Sequence, residues 1–326
     1  METQPTYKPL TLLSCARLAA PHTWPGASVL PTVFGGIYAV LMGYEFSWPI
    51  WVLLLVCATM AQAAVNTLND WSDYRAGTDT VENSDDPTDA ILVYENPNPA
   101  HVLALGIFYM VLALVSGVAC CVWATTAVPV ICGVIGGITI VCYSSGKLPI
   151  SYLPLGELVS GFVMGCLITL ADIIIFAAHG NAAGPLDFGI MTPIQWLNAV
   201  IATAPFIIGI GMVMATQNGC DVERDKPIGR HTLAVCLGRK RFLIFYRVMI
   251  VLWIAIVAHL CFWCFRPGMW AALVVLVLGI GTIRGCLVTP LTHEVRGPSM
   301  GGINKANLFI NGALCMAVMV CLMGIS

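Results

Sequence analysis

Two polar segments of this apolar chain carry carboxylates at helical spacing. Asn66, Asp70 and Asp73 stand at i, i+4 and i+7, and Asp221 and Asp225 stand at i and i+4, so each set shares one helix face. Carboxylates this close repel each other and raise each other's pKa unless a cation lies between them. Mg²⁺ suits such ligands, because it prefers carboxylate oxygens and water and often bridges to substrate phosphates. The two sets therefore predict a magnesium site.

Basic side chains accompany the second set but are almost absent from the first. Arg224, Lys226 and Arg230 follow Asp221 closely, whereas the acidic loop at 73–98 has Arg75 as its single basic residue. A diphosphate group requires a metal ion for its bridging oxygens together with Arg and Lys for the others. The first loop alone could equally be a solvated loop. The second set repeats the spacing and adds cations, so the two together favour a metal–diphosphate site.

The two segments also match each other at an offset of 152 residues. Each segment ends a predicted membrane span, and these two spans are four helices apart. The pattern therefore suggests an internal duplication of four-helix units followed by a ninth helix, with the two carboxylate sets facing each other across one central cavity. The matched pairs are Asn66 with Asn218, Asn69 with Asp221, Asp73 with Asp225 and Gly77 with Gly229.

The elements that must position these residues are membrane helices. The chain has 326 residues, of which 58% are apolar and 10% are charged, and its mean hydropathy is +0.86. A soluble domain of this size rarely reaches such values. Stretches of about 20 apolar residues, the length that crosses the hydrocarbon core, predict an all-α polytopic membrane protein with nine spans in a single domain over residues 1–326. The predicted spans are 20–43, 50–72, 99–123, 125–144, 155–178, 195–218, 241–264, 269–289 and 303–324.

Lys and Arg are distributed unevenly between the predicted loops. If the N-terminus is cytoplasmic, the loops near 44–49, 124, 179–194 and 265–268 face outward and contain Arg266 as their only basic residue. The other fourteen Lys and Arg residues fall on the inner side, which is where positively charged loops stay. Both carboxylate sets, and the cap loops at about 73–98 and 219–240, are therefore predicted at the cytoplasmic face of a cell membrane. The net charge of −2 gives no indication of nucleic-acid binding.

Some further residues have less specific interpretations. Asp172 lies within the fifth predicted span, where an ionisable group is a functional candidate by default. Its position toward the outer end of that span favours a structural polar contact instead. The pairs Gly161 with Gly165 and Gly281 with Gly285 have GxxxG spacing and predict close helix packing.

The two acidic sets resemble the Asp-rich motifs of the UbiA-type membrane-embedded prenyltransferases, which are written NDxxDxxxD and DxxxD. Within that family the sequence is most similar to the branch that prenylates 1,4-dihydroxy-2-naphthoate in menaquinone synthesis. The stretch 143–165 also resembles the Tyr-containing loop and the following Gly-Glu helix of that branch. The residues that carry the resemblance are Asn66, Asn69, Asp70, Asp73, Gly77 and Asp79 in the first motif, and Asn218, Asp221, Glu223, Asp225, Gly229, Arg230, Thr232, Leu233, Leu237 and Gly238 in the second.

The resemblance implies nine helices around a cavity that opens sideways to lipid and binds a polyprenyl diphosphate and an aromatic acceptor. It implies Mg²⁺ as the cofactor, with ionisation of the allylic C–O bond followed by attack of the aromatic ring. Tyr143 and Tyr152 either line the acceptor pocket or anchor the chain at the interface. The implied catalytic residues are Asp70, Asp73, Asp221 and Asp225, which bind the metal together with Asp79. The implied substrate-binding residues are Asn66, Asn69, Arg17, Tyr143, Lys147, Asn218, Arg224, Lys226 and Arg230.

Two departures from the family pattern are visible. The third Asp of the general first motif would fall at position 77, where this chain has Gly77, so Asp79 is the available replacement. Family members usually carry an Arg directly before a PxTxP-like turn in the first helix. Here Ala20 precedes the turn at 21–25, and Arg17 lies one helical turn earlier.

The sequence thus predicts Mg²⁺-dependent transfer of a polyprenyl group to an aromatic acceptor, with 1,4-dihydroxy-2-naphthoate giving demethylmenaquinone as the first choice. A UbiA-type enzyme with another acceptor, such as 4-hydroxybenzoate, another quinone ring or a lipid, is the alternative within the family. A cation-coupled transporter is the alternative from another class. It would place acidic residues near the bilayer midplane at broken helices, rather than at helix ends beside basic partners.

Overall fold

The structure, a computed structural model, describes residues 7–81, 90–144, 146, 148–181 and 184–324. Within these ranges the regular structure is helical, apart from one isolated bridge between Lys8 and Pro97. Two π-helical segments, Pro25–Val29 and Gly161–Leu167, lead into α2 and join α7 to α8. The α-helices are α1 (Leu12–Ala19), α2 (Leu30–Leu41), α3 (Trp48–Ala76), α4 (Ile91–Tyr94), α5 (Pro99–Trp123), α6 (Pro129–Ser144), α7 (Gly156–Ser160), α8 (Ile168–Ala178), α9 (Pro193–Cys220), α10 (Val222–Asp225), α11 (Leu233–Trp263), α12 (Met269–Leu278), α13 (Ile280–Val288) and α14 (Arg296–Leu322).

The prediction of an all-α polytopic membrane protein is confirmed. Six helices of the described ranges are long and apolar enough to cross a membrane, and two bent helix pairs raise the number of spans to as many as eight. The bends are 52° between Leu12–Thr23 and Pro25–Leu41, and 55° between Arg266–Leu278 and Ile280–Val288. At 16 residues, α6 extends about 24 Å, which is less than the hydrocarbon thickness of about 30 Å. The count of nine therefore stays a prediction.

Proline and short polar side chains set the starts of the long helices. Pro99 stands at the start of α5, where its missing N–H costs nothing, and the Asn98 side chain caps that helix. The start of α9 has Pro193 and a capping box, in which the Thr192 and Gln195 side chains satisfy each other's backbone N–H groups. These signals place the ends of α5 and α9 within a few residues of the predicted spans.

Close packing around α9 depends on small residues. A Cβ at Gly161 would lie 2.3 Å from the Ile207 carbonyl oxygen, and one at Gly165 would lie 2.5 Å from the Ile207 nitrogen. The prediction of close packing is therefore confirmed for this pair. It is wrong for Gly281 and Gly285, because among the described residues no atom of another helix lies within 4 Å of a Cβ at either position.

Buried polar groups also connect the helices. Asp172 of α8 is 2% exposed and packs against Gly35 of α2, where a Cβ would lie 2.7 Å from the Asp172 Cβ. Asn307 of α14 donates to the Gly26 carbonyl oxygen at 3.0 Å and accepts from Asn311 at 2.8 Å. Asn311 in turn accepts from the indole N–H of Trp253 at 2.9 Å. This Asn307–Asn311–Trp253 network ties α11 and α14 to the start of the chain.

Candidate active site

The first acidic segment lies at the end of α3. Asp73 is buried, and Gly77 ends the helix in the left-handed region at φ 71°. The backbone N–H groups of Gly77 and Thr78 return to the carbonyl oxygens of Tyr74 and Asp73, at 3.2 and 3.0 Å. This is a Schellman-type helix end, which favours glycine because a side chain is strained at positive φ. The geometry explains why position 77 holds glycine instead of the third Asp of the general motif.

The second acidic segment ends in the same way. α9 stops at Cys220, Asp221 leaves the helical region, and α10 completes one further turn to Asp225. Gly229 has φ 76°, and the N–H groups of Gly229 and Arg230 return to the carbonyl oxygens of Lys226 and Asp225, at 3.3 and 3.0 Å. These bonds match those of the first segment at the offset of 152 residues. The local repeat in the sequence therefore corresponds to two helix ends with the same backbone hydrogen bonds and a glycine at positive φ.

Arg230 connects the two segments. Its Nη2 donates to Asp73 Oδ1 at 2.9 Å, and its Nη1 lies 3.7 Å from Asp225 Oδ1. The guanidinium also covers the ring of Tyr152, with 4.9 Å from Cζ to the ring centroid. Asp73 and Asp225, which are 152 residues apart in sequence, therefore converge on one cation, and each side chain is at most 12% exposed.

Burial and neighbouring charges shift the pKa values of Asp225 and Arg230. It raises the pKa of Asp225 to about 6, against the opposing effect of Arg230, while Asp221 and Asp73 raise that pKa further. Burial alone would lower the pKa of Arg230, but Asp73 and Asp225 outweigh it and raise that pKa above its usual value. Arg230 therefore stays charged, and Asp225 titrates near pH 6 in the metal-free protein.

The end of α6 supports the first segment. Asn69 donates to Asp73 Oδ2 at 3.2 Å, and its own oxygen accepts a hydrogen bond from the Ser144 hydroxyl. The Ser72 hydroxyl donates to the Ser144 carbonyl oxygen at 2.6 Å. Arg230 and Asn69 thus approach different oxygens of the Asp73 carboxylate. This arrangement fixes the orientation of Asp73.

Asp221 contacts the far end of the chain. Its Oδ2 accepts from Arg296 Nε at 3.2 Å, and its Oδ1 lies 3.6 Å from His293 Nδ1. The interpretation of the sequence missed Arg296 and His293, because they lie beyond the two motifs. The available signal was a cation at the start of a membrane helix, where the helix dipole disfavours positive charge.

Other predicted residues lie around this centre with their own partners. Asn218 donates to Glu157 Oε1 at 2.9 Å, and the Tyr143 hydroxyl lies 3.3 Å from the Met214 sulfur. Asn66 donates to the Ala19 carbonyl oxygen at 3.2 Å.

Arg17 forms an ion pair with Glu95 at 2.6 Å. This contact joins α1 to the last part of the first acidic loop. In this structure Arg17 is therefore engaged by a carboxylate that the motifs do not include.

The remaining predicted residues lie near the ends of α3 and α10. Asp70 is half-buried one turn before Asp73, and Asp79 follows the end of α3 with its N–H 3.4 Å from the Asp73 carbonyl oxygen. Arg224 is half-buried and Lys226 is exposed. Lys147 and the loop residues 82–89 lie outside the described residues.

The carboxylates fit a divalent cation in chemistry, although no three of them are gathered into a finished site. Among the described residues, no group of three or more His, Cys, Asp and Glu side chains is arranged to hold a metal. Asp73 and Asp225 already share one cation, however, and Asp221 Oδ1 is buried without a hydrogen-bond partner in the described part of the chain. Buried carboxylate oxygens of this kind are the donors that Mg²⁺ prefers.

Comparisons with known proteins agree on one family. A model of the UbiA prenyltransferase family matches residues 28–289. The chain is 28% identical over 224 residues to a 1,4-dihydroxy-2-naphthoate octaprenyltransferase of Bacillus subtilis (strain 168), a match that covers 69% of this chain and 66% of that protein. The chain thus spans just under two thirds of the length of this curated relative.

Solved structures show the same fold. An apo UbiA homologue from Aeropyrum pernix K1 has a TM-score of 0.61 at 15% identity, covering 92% of this chain and 98% of its own. A UbiA homologue from Archaeoglobus fulgidus bound to DMAPP and Mg²⁺ has a TM-score of 0.59 at 15% identity, with the same coverage. At this identity, the likeness concerns the fold.

Proposed function

Because the chain belongs to the UbiA prenyltransferase family, we propose that it transfers a polyprenyl group from a polyprenyl diphosphate to an aromatic acceptor. The observation that carries this proposal is the convergence of Asp73 and Asp225 on the guanidinium of Arg230. Two buried acids from distant segments, held around one cation beside further basic residues, suit a site for a metal ion and a diphosphate.

Mg²⁺ is the cofactor that these residues would hold. When bound, it would supply positive charge to the diphosphate oxygens and so stabilise the leaving group. Asp73, Asp221 and Asp225, with Asp70 and Asp79 beside them, provide the oxygen ligands that it prefers. The relative of this fold that binds DMAPP and Mg²⁺ supports this choice.

Arg230 has two tasks in this proposal. In the structure it neutralises Asp73 and Asp225. With a metal ion held by those carboxylates, the planar guanidinium would be able to donate hydrogen bonds to the diphosphate. Arg224 and Lys226, in and just after α10, add positive charge to the same segment. Charge that is already in place stabilises the diphosphate as the allylic C–O bond breaks.

The acceptor is the second substrate, and we assign it as 1,4-dihydroxy-2-naphthoate. Its prenylation with loss of CO₂ releases diphosphate and gives demethylmenaquinol, the hydroquinone form of demethylmenaquinone. An electron-rich ring attacks the allylic carbon, and loss of a proton or of CO₂ then restores its aromaticity, so no separate base is required. The support for this acceptor is the motif pattern from Asn66 to Asp79 and the name of the Bacillus subtilis relative. We assign Tyr143 and Tyr152 to the acceptor pocket, and the Tyr152 ring lies under the guanidinium of Arg230.

The protein acts as a multi-pass membrane enzyme with this site at the cytoplasmic face. The apolar helices support the first part of this assignment. The unequal distribution of Lys and Arg between the two sides supports the second.

Membranes that contain the protein test the proposal when incubated with a radiolabelled polyprenyl diphosphate, MgCl₂ and one acceptor at a time. We expect labelled product with 1,4-dihydroxy-2-naphthoate, and a loss of roughly 100-fold or more with Asp225→Asn, because preorganised charge at the leaving group is removed. Lys305→Gln, at an exposed site of α14, is the control and should keep full activity.

Two outcomes would contradict parts of the proposal. Transfer to a different aromatic compound but not to the naphthoate would reject the acceptor while keeping the reaction. No transfer to any acceptor, together with an ion flux that Asp225→Asn abolishes, would make the protein a transporter.

A further inference from the structure

The connection between α13 and α14, residues 289–295, is fixed against the second acidic segment. Leu291 is fully buried at φ 52°, and a Cβ at Gly219 would lie 2.9 Å from its Cδ1. Arg239 Nη1 donates to the carbonyl oxygens of Gly219, Pro290 and Leu291. The last helix is therefore anchored to the residues that directly precede Asp221.

Arg296 holds one oxygen of Asp221, and the other oxygen lies 3.6 Å from His293 Nδ1, which is too far for a hydrogen bond. Arg296 Nε donates to Asp221 Oδ2 at 3.2 Å, in a pair whose side chains are 24% and 17% exposed. Asp221 Oδ1 is buried and has no hydrogen-bond partner among the described residues. A buried carboxylate oxygen without a donor is costly, unless a cation completes it.

The position of Arg296 is locally unfavourable, which points to a role beyond helix formation. Arg296 is the first residue of α14, where the positive end of the helix dipole repels a cation. The carboxylate of Asp221 offsets this cost, and the fixed connection keeps the two together. Residues that break a local rule and are compensated by one specific partner tend to belong to functional sites.

We propose that Arg296 is a positioning residue for Asp221, and that it fixes Oδ2 so that Oδ1 is directed to the metal ion of the prenyl diphosphate site. This inference rests on the proposed function and extends it, because it makes the last helix part of the site. Residues that hydrogen-bond a ligand carboxylate in this way typically change metal affinity by roughly 10- to 100-fold when they are removed.

The test measures Mn²⁺ binding to the purified full-length protein by electron paramagnetic resonance, without any prenyl diphosphate. We expect Arg296→Gln to bind Mn²⁺ roughly 10- to 100-fold more weakly than the wild type. Arg296→Lys should show a smaller loss, since it keeps the charge but not the guanidinium geometry. Lys305→Gln removes the same charge from an exposed site of the same helix, and it should bind like the wild type.

A double-mutant cycle separates positioning from general destabilisation. The loss caused by Arg296→Gln, or by Arg296→Lys if the Gln variant does not fold, should disappear in an Asp221→Asn background, because the ligand on which Arg296 acts is then absent. Equal Mn²⁺ affinity of the wild type and a folded Arg296 variant would overturn the inference. Failure of the wild type itself to bind Mn²⁺ would instead overturn the metal-dependent function on which it rests.

Discussion

Asp225 is the residue whose charge state links this site to pH. Because its pKa is raised to about 6 by burial, it keeps its proton at pH values where an ordinary carboxyl group is ionised. A carboxylate must be deprotonated to bind a metal ion. We therefore expect Mn²⁺ affinity to be constant above pH 7 and to fall by up to tenfold for each pH unit below about 6, in a titration from pH 5 to 8.

The matched variant for this pH prediction is Asp225→Asn, which has no proton to exchange at that position. It should bind Mn²⁺ more weakly than the wild type above pH 6, approach the wild-type affinity at lower pH, and lack the step near pH 6. A step that persists unchanged in Asp225→Asn would assign the titration to another group.

Arg230 is expected to stabilise the metal-free protein. Its removal leaves Asp73 and Asp225 buried beside each other without a counter-ion, a change that typically costs about 3–5 kcal/mol. We expect Arg230→Gln to lower the melting temperature in a metal-free buffer, and MgCl₂ to raise it more in this variant than in the wild type. Thermal unfolding in detergent, followed by tryptophan fluorescence with and without MgCl₂, measures both effects.

Lys226→Gln is the control for the Arg230 prediction, because Lys226 is an exposed cation in the same loop. Its melting temperature should match that of the wild type in both buffers. An equal response of Arg230→Gln and the wild type to MgCl₂ would mean that the ion does not take the place of the guanidinium.

For single residues, the sequence patterns identify the acids of the site but not all of the residues that contact them. Helical spacing was sufficient to group Asp73 with its neighbours and Asp225 with Asp221, because that information is local. Arg296 is 75 residues from its partner Asp221, and no periodicity in a sequence reports a contact between two separate helices. Arg17 was expected at the diphosphate, but its contact with Glu95 depends on how the first acidic loop returns to α1.

Among the helices, the two acidic segments owe their similarity to how each helix ends. Gly77 and Gly229 both adopt positive φ, and the bonds that follow them return to the carbonyl oxygens of Asp73 and Asp225. The sequence shows a glycine four residues after an acid in both segments. The structure explains this repeat, because each glycine follows the end of a helix at positive φ. The bend in the first predicted span lies at the turn 21–25 that the sequence indicated, whereas no such motif marked the bend between Leu278 and Ile280 in the eighth span.

The π-helical segment Pro25–Val29 has a backbone group that another helix must satisfy. The Leu30 N–H bonds to the Pro25 carbonyl oxygen, and position 31 is proline, which has no N–H to offer Gly26. The fully buried Asn307 side chain supplies the missing donor at 3.0 Å. Helix packing at this bend therefore depends on an amide from α14.

We expect Asn307→Ala to destabilise the protein by about 1–3 kcal/mol, because the Gly26 carbonyl oxygen and the Asn311 amide lose their buried partner. The midpoint of thermal unfolding in detergent should fall accordingly. Leu308→Ala is the control, since Leu308 is 40% exposed on the same helix and should have little effect. A melting temperature for Asn307→Ala equal to that of the control would show that another group satisfies Gly26.

The whole molecule combines a polar centre with an apolar exterior. Large apolar side chains of α5, α6 and α12 are exposed, whereas the polar contacts described above join α3, α6, α10 and α14. An exposed apolar surface of this kind matches the hydrocarbon core of a bilayer. The composition predicted this division, but which helices surround the polar centre depends on packing between distant segments.

The orientation of the molecule gives the last prediction, which uses two of its own cysteines. Cys236 is exposed close to Arg239, on the side assigned to the cytoplasm, and Cys264 is exposed beside Arg266 on the opposite side. The distribution of Lys and Arg predicts that the acidic segments face the cytoplasm, so a membrane-impermeant maleimide should label Cys264 but not Cys236 in intact cells. Inside-out vesicles should give the reverse, so Cys264→Ser should reduce labelling only in cells and Cys236→Ser only in vesicles. Labelling of intact cells that Cys236→Ser abolishes would place the acidic site on the outer face and contradict the charge-based orientation.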